Sequence, residues 1–92
     1  MLKLVVTSRF KKDCKLARER GFDMGLLEAV LDALCAEEPL PARCRDHALV
    51  GSYRGFRECH IQSDWLLVYA IDDGRLVLTA TRTGTHADLF DE

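Results

Sequence analysis

Asp73-Gly74, set between two runs of strand-forming residues, constrains this chain more than any other feature. Trp65 to Ile71 is nearly continuous in apolar residues, and Arg75 to Arg82 follows the dipeptide. Asp-Gly suits a two-residue hairpin turn because both positions accept a positive φ, so the two runs are expected to pair antiparallel. A third strand precedes them. Phe56 to Ile61 alternates, with Phe56, Glu58 and His60 on one face and Arg57, Cys59 and Ile61 on the other. Gln62, Ser63 and Asp64 make the short turn that follows.

The front half reads differently. Leu2 to Thr7 is rich in aliphatic and β-branched residues and suits a first strand. Ser8 offers a capping oxygen to a helix over Arg9 to Arg20. On that helix Phe10, Cys14 and Ala17 form an apolar stripe, and Lys11, Lys15 and Arg18 form a basic stripe beside it. Gly21 stops it. A second helix, Met24 to Ala36 with Asp23 as cap, buries Leu27, Val30, Leu31 and Leu34. Pro39 and Pro41 end the regularity, and the segment to Gly55 carries Arg43, Arg45, His47 and Arg54 without a sustained period. Irregular connections of that length are uncommon in small domains unless they have a function. The order is β-α-α-β-β-β: an α+β fold with an N-terminal strand, a helical hairpin and a mostly antiparallel sheet, the helices on one side. The tail TGTHADLF has room for one helical turn.

Ninety-two residues suit one domain, residues 1–92. With 48% hydrophobic and 30% charged residues the chain can build a modest core, which excludes a disordered tail. No apolar run approaches the roughly 20 residues of a membrane span, and Met1 to Arg9 has no cleavage-site pattern, so a cytosolic protein without membrane contact is expected. Cys14, Cys35, Cys44 and Cys59 form no C-x-x-C pair, so neither disulfides nor a zinc site is expected. The net charge of −2 hides segregation. Residues 1–27 and 43–57 are basic while 28–42 and 58–92 are acidic, a distribution compatible with a nucleic-acid footprint on one side.

Only three histidines are present: His47 beside Arg45 and Asp46, His60 near Glu58 and Asp64, and His86 in the tail. A lone histidine is more often structural than catalytic. If the three central strands are neighbours, however, all three histidines and Arg82 can converge at one edge of the sheet. Histidines, carboxylates and an arginine without a metal motif can cleave RNA. One group takes the 2′-OH proton, another protonates the departing 5′ oxygen, and a cation steadies the phosphate. No metal and no cofactor is called for. Trp65 and Phe90 are candidates for base stacking, with core packing an equal alternative for Trp65; Tyr53 is a weaker candidate. GSYRG lacks the strand and helix that flank a nucleotide-binding loop. No serine has a nucleophile context, and Cys59 points away from His60 on its strand.

Three segments, SRFKKDCKLARERG, RDHALVGSYRGFRECHIQSDWLLVY and RTGTHADLF, together resemble the YafQ-like toxins of the RelE/ParE superfamily. These are ribosome-dependent mRNA interferases of bacterial type II toxin–antitoxin systems, and the resemblance covers nearly the whole chain. It implies a small antiparallel sheet flanked by an N-terminal helical hairpin. It also implies a site that cuts mRNA in the ribosomal A site. The D-H-x-L histidine matches His47, the strand histidine before S-D-W matches His60, and Asp64 and Trp65 complete that motif. His86 and Phe90 match the terminal T-G-T-H-x-x-L-F. Glu58 stands where such toxins usually have Asp.

On the chemistry of the side chains, His86 and either His47 or His60 are expected to share acid and base work, Asp64 to orient a histidine or hold it charged, and Arg82 to balance phosphate charge. Arg45 joins Trp65 and Phe90 in substrate binding, and Lys11, Lys15, Arg18 and the loop arginines meet ribosomal RNA through its phosphates. The implied partners are the ribosome, mRNA and a cognate antitoxin of ribbon-helix-helix type, with operator DNA reached only through the antitoxin. The implied location is the bacterial cytoplasm. One departure is charge: such toxins are usually basic, and this chain has a pI near 5.9. Two other functions fit the same fold: a non-catalytic toxin resembling gyrase inhibitors, and a degenerate toxin that only binds antitoxin as a co-repressor.

Overall fold

In the computed structural model, residues 1–90 are described. The elements are β1 (Lys3–Val6), α1 (Ser8–Glu19), α2 (Met24–Cys35), a 3₁₀ turn Ala42–Cys44, β2 (His47–Ala48), a 3₁₀ turn Gly51–Tyr53, β3 (Arg57–Gln62), β4 (Trp65–Asp72), β5 (Val77–Gly84) and α3 (His86–Phe90). One five-stranded sheet runs β1-β5-β4-β3-β2. β1 lies parallel to β5 and every other pairing is antiparallel. The expected α+β architecture is therefore observed, with one strand more. β2, only two residues long and exposed, carries no alternation that a sequence pattern could reveal.

Both N-terminal helices end in the same way. Gly21 N–H donates to the Arg18 carbonyl and Phe22 N–H to that of Ala17, and Gly21 takes the left-handed conformation (φ 82°) that this closing turn needs. The turn delivers Phe22 onto Trp65, ring centroids 5.0 Å apart. At the end of α2 the same pair of bonds forms from Glu37 to Leu34 and from Glu38 to Ala33. There a glutamate, Glu37, occupies the left-handed position (φ 60°).

Two local expectations are corrected. The cap of α1 is Thr7, not Ser8: Thr7 Oγ1 accepts from Phe10 N–H at 3.0 Å. Thr7 is still extended, its own N–H bonded to Ala80 of β5, so the helix starts where the sheet contact ends. The β4–β5 turn is not a two-residue hairpin. Asp72 pairs with Val77, leaving a four-residue loop whose left-handed residue is Leu76 (φ 56°). Asp72 accepts from Arg75 N–H inside the loop, and the Leu76 carbonyl accepts from Lys3 N–H on β1. The neighbouring strand thus holds the longer turn.

β4 is buried on both faces, which explains its unbroken apolar run. Trp65, Leu67 and Tyr69 join Leu78, Ala80 and Cys59 beneath Phe10, Ala17, Leu27, Leu31 and Leu34 of the two helices. Leu66 and Val68 face the other way, under Leu89, with Leu49, Phe56 and Phe90 around them. A bulge in β5 matters for that second face. Tyr69 pairs with Ala80 and Val68 with Arg82, so Thr81 is the extra residue. Without it Ala80 and Arg82 would share a face; with it Ala80 packs in the core and Arg82 turns to the opposite side.

Candidate active site

Strand register gathers the polar residues on the face away from α1 and α2. His47 pairs with Glu58, Glu58 with Val68, and Val68 with Arg82, making one row across four strands. In the next row His60 pairs with Leu66, and Leu66 with Gly84. Glu58 is 6% exposed and lies between two imidazoles. Its Oε1 is 3.8 Å from His47 Nε2 and 3.8 Å from His60 Nε2. At that separation the contact is one of charge rather than a hydrogen bond, and the carboxylate can balance a proton on either ring. The His60 ring stands 5.7 Å from that of His86, edge toward face. The convergence expected of the three histidines is present: His47, Glu58, His60 and His86 form a continuous cluster.

Two acceptors fix the imidazole orientations. Asp64, in the β3–β4 turn, accepts the His86 backbone N–H at 3.0 Å and lies 2.7 Å from its Nδ1. Those two bonds, the backbone one first, hold the Asp64 carboxyl below its ordinary value. A carboxylate can only accept, so Nδ1 carries the proton and Nε2 is left for exchange. His47 is oriented similarly, with Nδ1 2.7 Å from the Arg45 carbonyl oxygen.

The segment carrying His86 is locked from both ends. Thr85 N–H donates to Asp88, Asp88 N–H donates to Thr85 Oγ1, and Arg20 grips the same carboxylate at 2.7 and 3.2 Å. Chiefly through Arg20, the Asp88 carboxyl is pushed down to about 2. A Cβ on Gly84 would lie 3.0 Å from the Asp88 Cβ, so the tight entry to α3 leaves no room for a side chain there. Thr85-x-x-Asp88 is a capping signal readable in the sequence. Arg20, 68 residues from Asp88, is not.

The remaining candidates divide. Arg82 faces the site with its guanidinium held by Asp13 of α1, Nε at 2.7 Å and Nη2 at 3.2 Å. Asp13 also accepts the Thr83 N–H, and no sequence signal links residues that far apart. Trp65 requires correction as a stacking residue. It is 1% exposed, packs on Phe22 and donates Nε1–H to Thr83 Oγ1 at 2.9 Å, so its ring has no open face for a base. Phe90 is half-buried and meets Tyr53 edge-on at 5.3 Å, while Tyr53 donates to the Leu89 carbonyl. Arg45 is exposed, and Lys11, Lys15 and Arg18 are exposed along α1.

The four cysteines are free thiols. Burial pushes Cys59 up to about 12, so it is an apolar filler rather than a nucleophile. No metal was expected from the sequence, yet Glu58, His60 and His86 place ligand atoms all within 4.8 Å of one another, a set able to hold a transition-metal ion. As arranged, the cluster provides three imidazoles, each with a ring nitrogen that makes no hydrogen bond, carboxylates that orient or balance them, and a guanidinium in the same row.

A statistical description of the family "Bacterial toxin of type II toxin-antitoxin system, YafQ" matches residues 2–91. The chain belongs to the YafQ family. It is 42% identical over 85 residues to the mRNA interferase toxin YafQ of Escherichia coli K12, an alignment covering 91% of this chain and 90% of that one. YafQ in the crystal structure of the E. coli DinJ–YafQ complex superposes with a TM-score of 0.89 at 40% identity, covering 98% of this chain and 99% of that one. A metal-bound toxin from Helicobacter pylori superposes with a TM-score of 0.92 at 41% identity, covering 98% and 100%. The family resemblance and the fold expected from the sequence are both upheld. Among the described residues no helix is long and apolar enough to cross a membrane.

Proposed function

We propose that this YafQ-family chain is the toxin of a type II toxin–antitoxin pair, an endoribonuclease that cuts mRNA in the ribosomal A site and so stops translation. The observation that carries the proposal is the convergence of His47, His60 and His86 around Glu58, with Asp64 orienting His86. A surface that acts only by binding needs no such proton-transfer set, which weighs against a gyrase-inhibitor-like or merely co-repressing role.

The chemistry needs one base and one acid on opposite sides of a phosphate. One imidazole takes the 2′-OH proton as the 2′ oxygen attacks phosphorus. A second gives a proton to the 5′ oxygen as the P–O5′ bond breaks, leaving a cyclic phosphate. His86, its Nδ1 engaged by Asp64, exchanges protons through Nε2 in one of these roles. His47 or His60 takes the other, with Glu58 balancing the imidazolium that forms. Arg82 retains N–H donors beyond the two that Asp13 occupies and meets the charge building on the phosphate oxygens. Side chains alone suffice for these steps.

Lys11, Lys15 and Arg18 meet ribosomal RNA, and Phe90 packs against the substrate. The partner is an antitoxin, as DinJ is for YafQ of E. coli, of ribbon-helix-helix type and encoded in a bacterium whose cytoplasm holds the target ribosomes. The test is primer extension on ribosomes programmed with a defined mRNA, beside naked mRNA and the His86→Ala variant. Cuts confined to the A-site codon, present only with ribosomes and reduced by about 10² or more in the variant, are expected. Intact mRNA in every lane from folded protein would overturn the proposal.

A further inference from the structure

One cleft beside the histidines is not used by the steps above. It has a volume of about 340 Å³ and lies between the 3₁₀ turn at Ala42–Cys44 and the β3–β4 turn. Its lining is Arg43, Arg45, His60, Ile61, Gln62 and Ser63. His60 is thus shared: it lines the cleft, and its ring joins Glu58 and His86.

Arg20 is paired with Asp88, Arg57 with Asp46, Arg75 with Asp72 and Arg82 with Asp13. Arg43 and Arg45, like Arg18 and Arg54, have no carboxylate partner among the described residues, but they alone of these line one cleft together. Two arginines two residues apart that line one cleft without a carboxylate partner suit an anion. The backbone supports this use of Arg45. The residue is held left-handed (φ 47°), and its carbonyl oxygen faces His47 Nδ1 at 2.7 Å. One residue that lines the cleft is thereby tied to the histidine cluster through its carbonyl.

We propose that this cleft is a nucleotide subsite, in which Arg43 and Arg45 hold the mRNA phosphate next to the one being cut. The volume is near the lower limit of small-ligand sites and suits a single nucleotide unit. Gln62 and Ser63 line the same space with neutral donors and acceptors. The subsite depends on the RNA-cleaving activity proposed above and deepens it, since a strand fixed at two consecutive phosphates cannot slide past the histidines.

The test is single-turnover cleavage on programmed ribosomes with toxin in excess, using wild type and the double variant Arg43→Gln/Arg45→Gln. Each is run on normal mRNA and on two mRNAs in which one flanking phosphate is replaced by an uncharged methylphosphonate. The half-saturating toxin concentration is expected to rise about 10- to 100-fold in the double variant, the range for losing charge-assisted bonds. The saturating rate and its pH profile are retained. Methylphosphonate at one flanking position imposes the same loss on wild type and none beyond it on the variant. Losses that multiply would assign the arginines to ribosomal RNA and overturn the subsite, and so would an unchanged half-saturating concentration. A fall in the saturating rate with a moved pH profile would mean that Arg45 acts through His47, and would also overturn it. A wild type that cuts none of the mRNAs would refute the interferase activity itself, and the subsite with it.

Discussion

The two faces of the sheet are built from alternate residues of the same strands and do different things. Under the helices, Cys59, Trp65, Leu67, Tyr69, Leu78 and Ala80 are each at most 1% exposed, and packing there is almost wholly apolar. On the other face a small cluster around Leu66, Val68 and Leu89 floors a set of histidines, carboxylates and Arg82. Apolar burial is non-directional and contributes roughly 1.5–3 kcal/mol per large side chain, so the first face supplies stability. The second holds Glu58 at 6% exposure and pairs Arg82 with Asp13, where desolvation offsets much of what pairing gains. Its apolar floor of Leu66, Val68 and Leu89 adds stability, while its polar residues supply mainly geometry. α1 serves both: Phe10 and Ala17 enter the core, while Asp13 and Arg20 reach the residues that frame the site.

Substitutions can break that division. The largest effect belongs to Glu58→Gln, which keeps the shape and removes the charge between His47 and His60. Single-turnover cleavage should fall by about 10² or more with the urea midpoint little changed. A variant as active as wild type would reduce Glu58 to a structural role. Trp65→Phe should behave in the opposite way. It loses the bond to Thr83 and part of a filled core, so a cost of about 1–3 kcal/mol is expected in urea unfolding, with cleavage per folded molecule retained. A stable variant with weakened mRNA binding would restore Trp65 as a stacking residue.

A smaller effect comes from the clamp on α3. Asp88 in the folded chain is pushed down to about 2, below its ordinary 3.8. Its contribution is therefore fully present above about pH 4 and is lost as pH falls through the folded value. Asp64 is lowered in the same direction. The stability difference between wild type and Asp88→Asn should shrink from pH 5 to pH 2, and shrink less in high salt. A difference constant with pH would show that the Arg20–Asp88 pair does not hold the helix. The smallest effect is a gain. Glu37→Gly removes the left-handed strain at the end of α2 and should add about 0.5–1 kcal/mol in thermal or urea unfolding without touching activity. No gain would mean that the ion pair of Glu37 with the chain's N-terminus matters as much as the strain.

Much of both faces could be read in advance. The stripe of Leu27, Leu31 and Leu34 and the alternation of Phe56 to Ile61 gave the helix packing and put Glu58 and His60 on a common face. β2 was not readable, because two exposed residues carry no period. The β4–β5 turn was misjudged because β1 bonds to Leu76 and so stabilises a longer loop than Asp73-Gly74 alone would choose. Trp65 was ambiguous for a related reason. A run buried on both faces looks the same whether its first residue is capped by Phe22 or open to solvent.

By itself the sequence determined the α+β class, the helix faces, the set of three histidines with Glu58 and Asp64, and the family, because each is written in local spacing or in contiguous motifs. Tertiary structure decided what those residues meet. The Thr81 bulge turned Arg82 toward the site, Asp13 and Arg20 reached it across 69 and 68 residues, and Asp64 holds the His86 backbone and ring beside His60. These are long-range directional contacts. Their partners are selected by how the chain folds back on itself, and that information is absent from any short window of sequence.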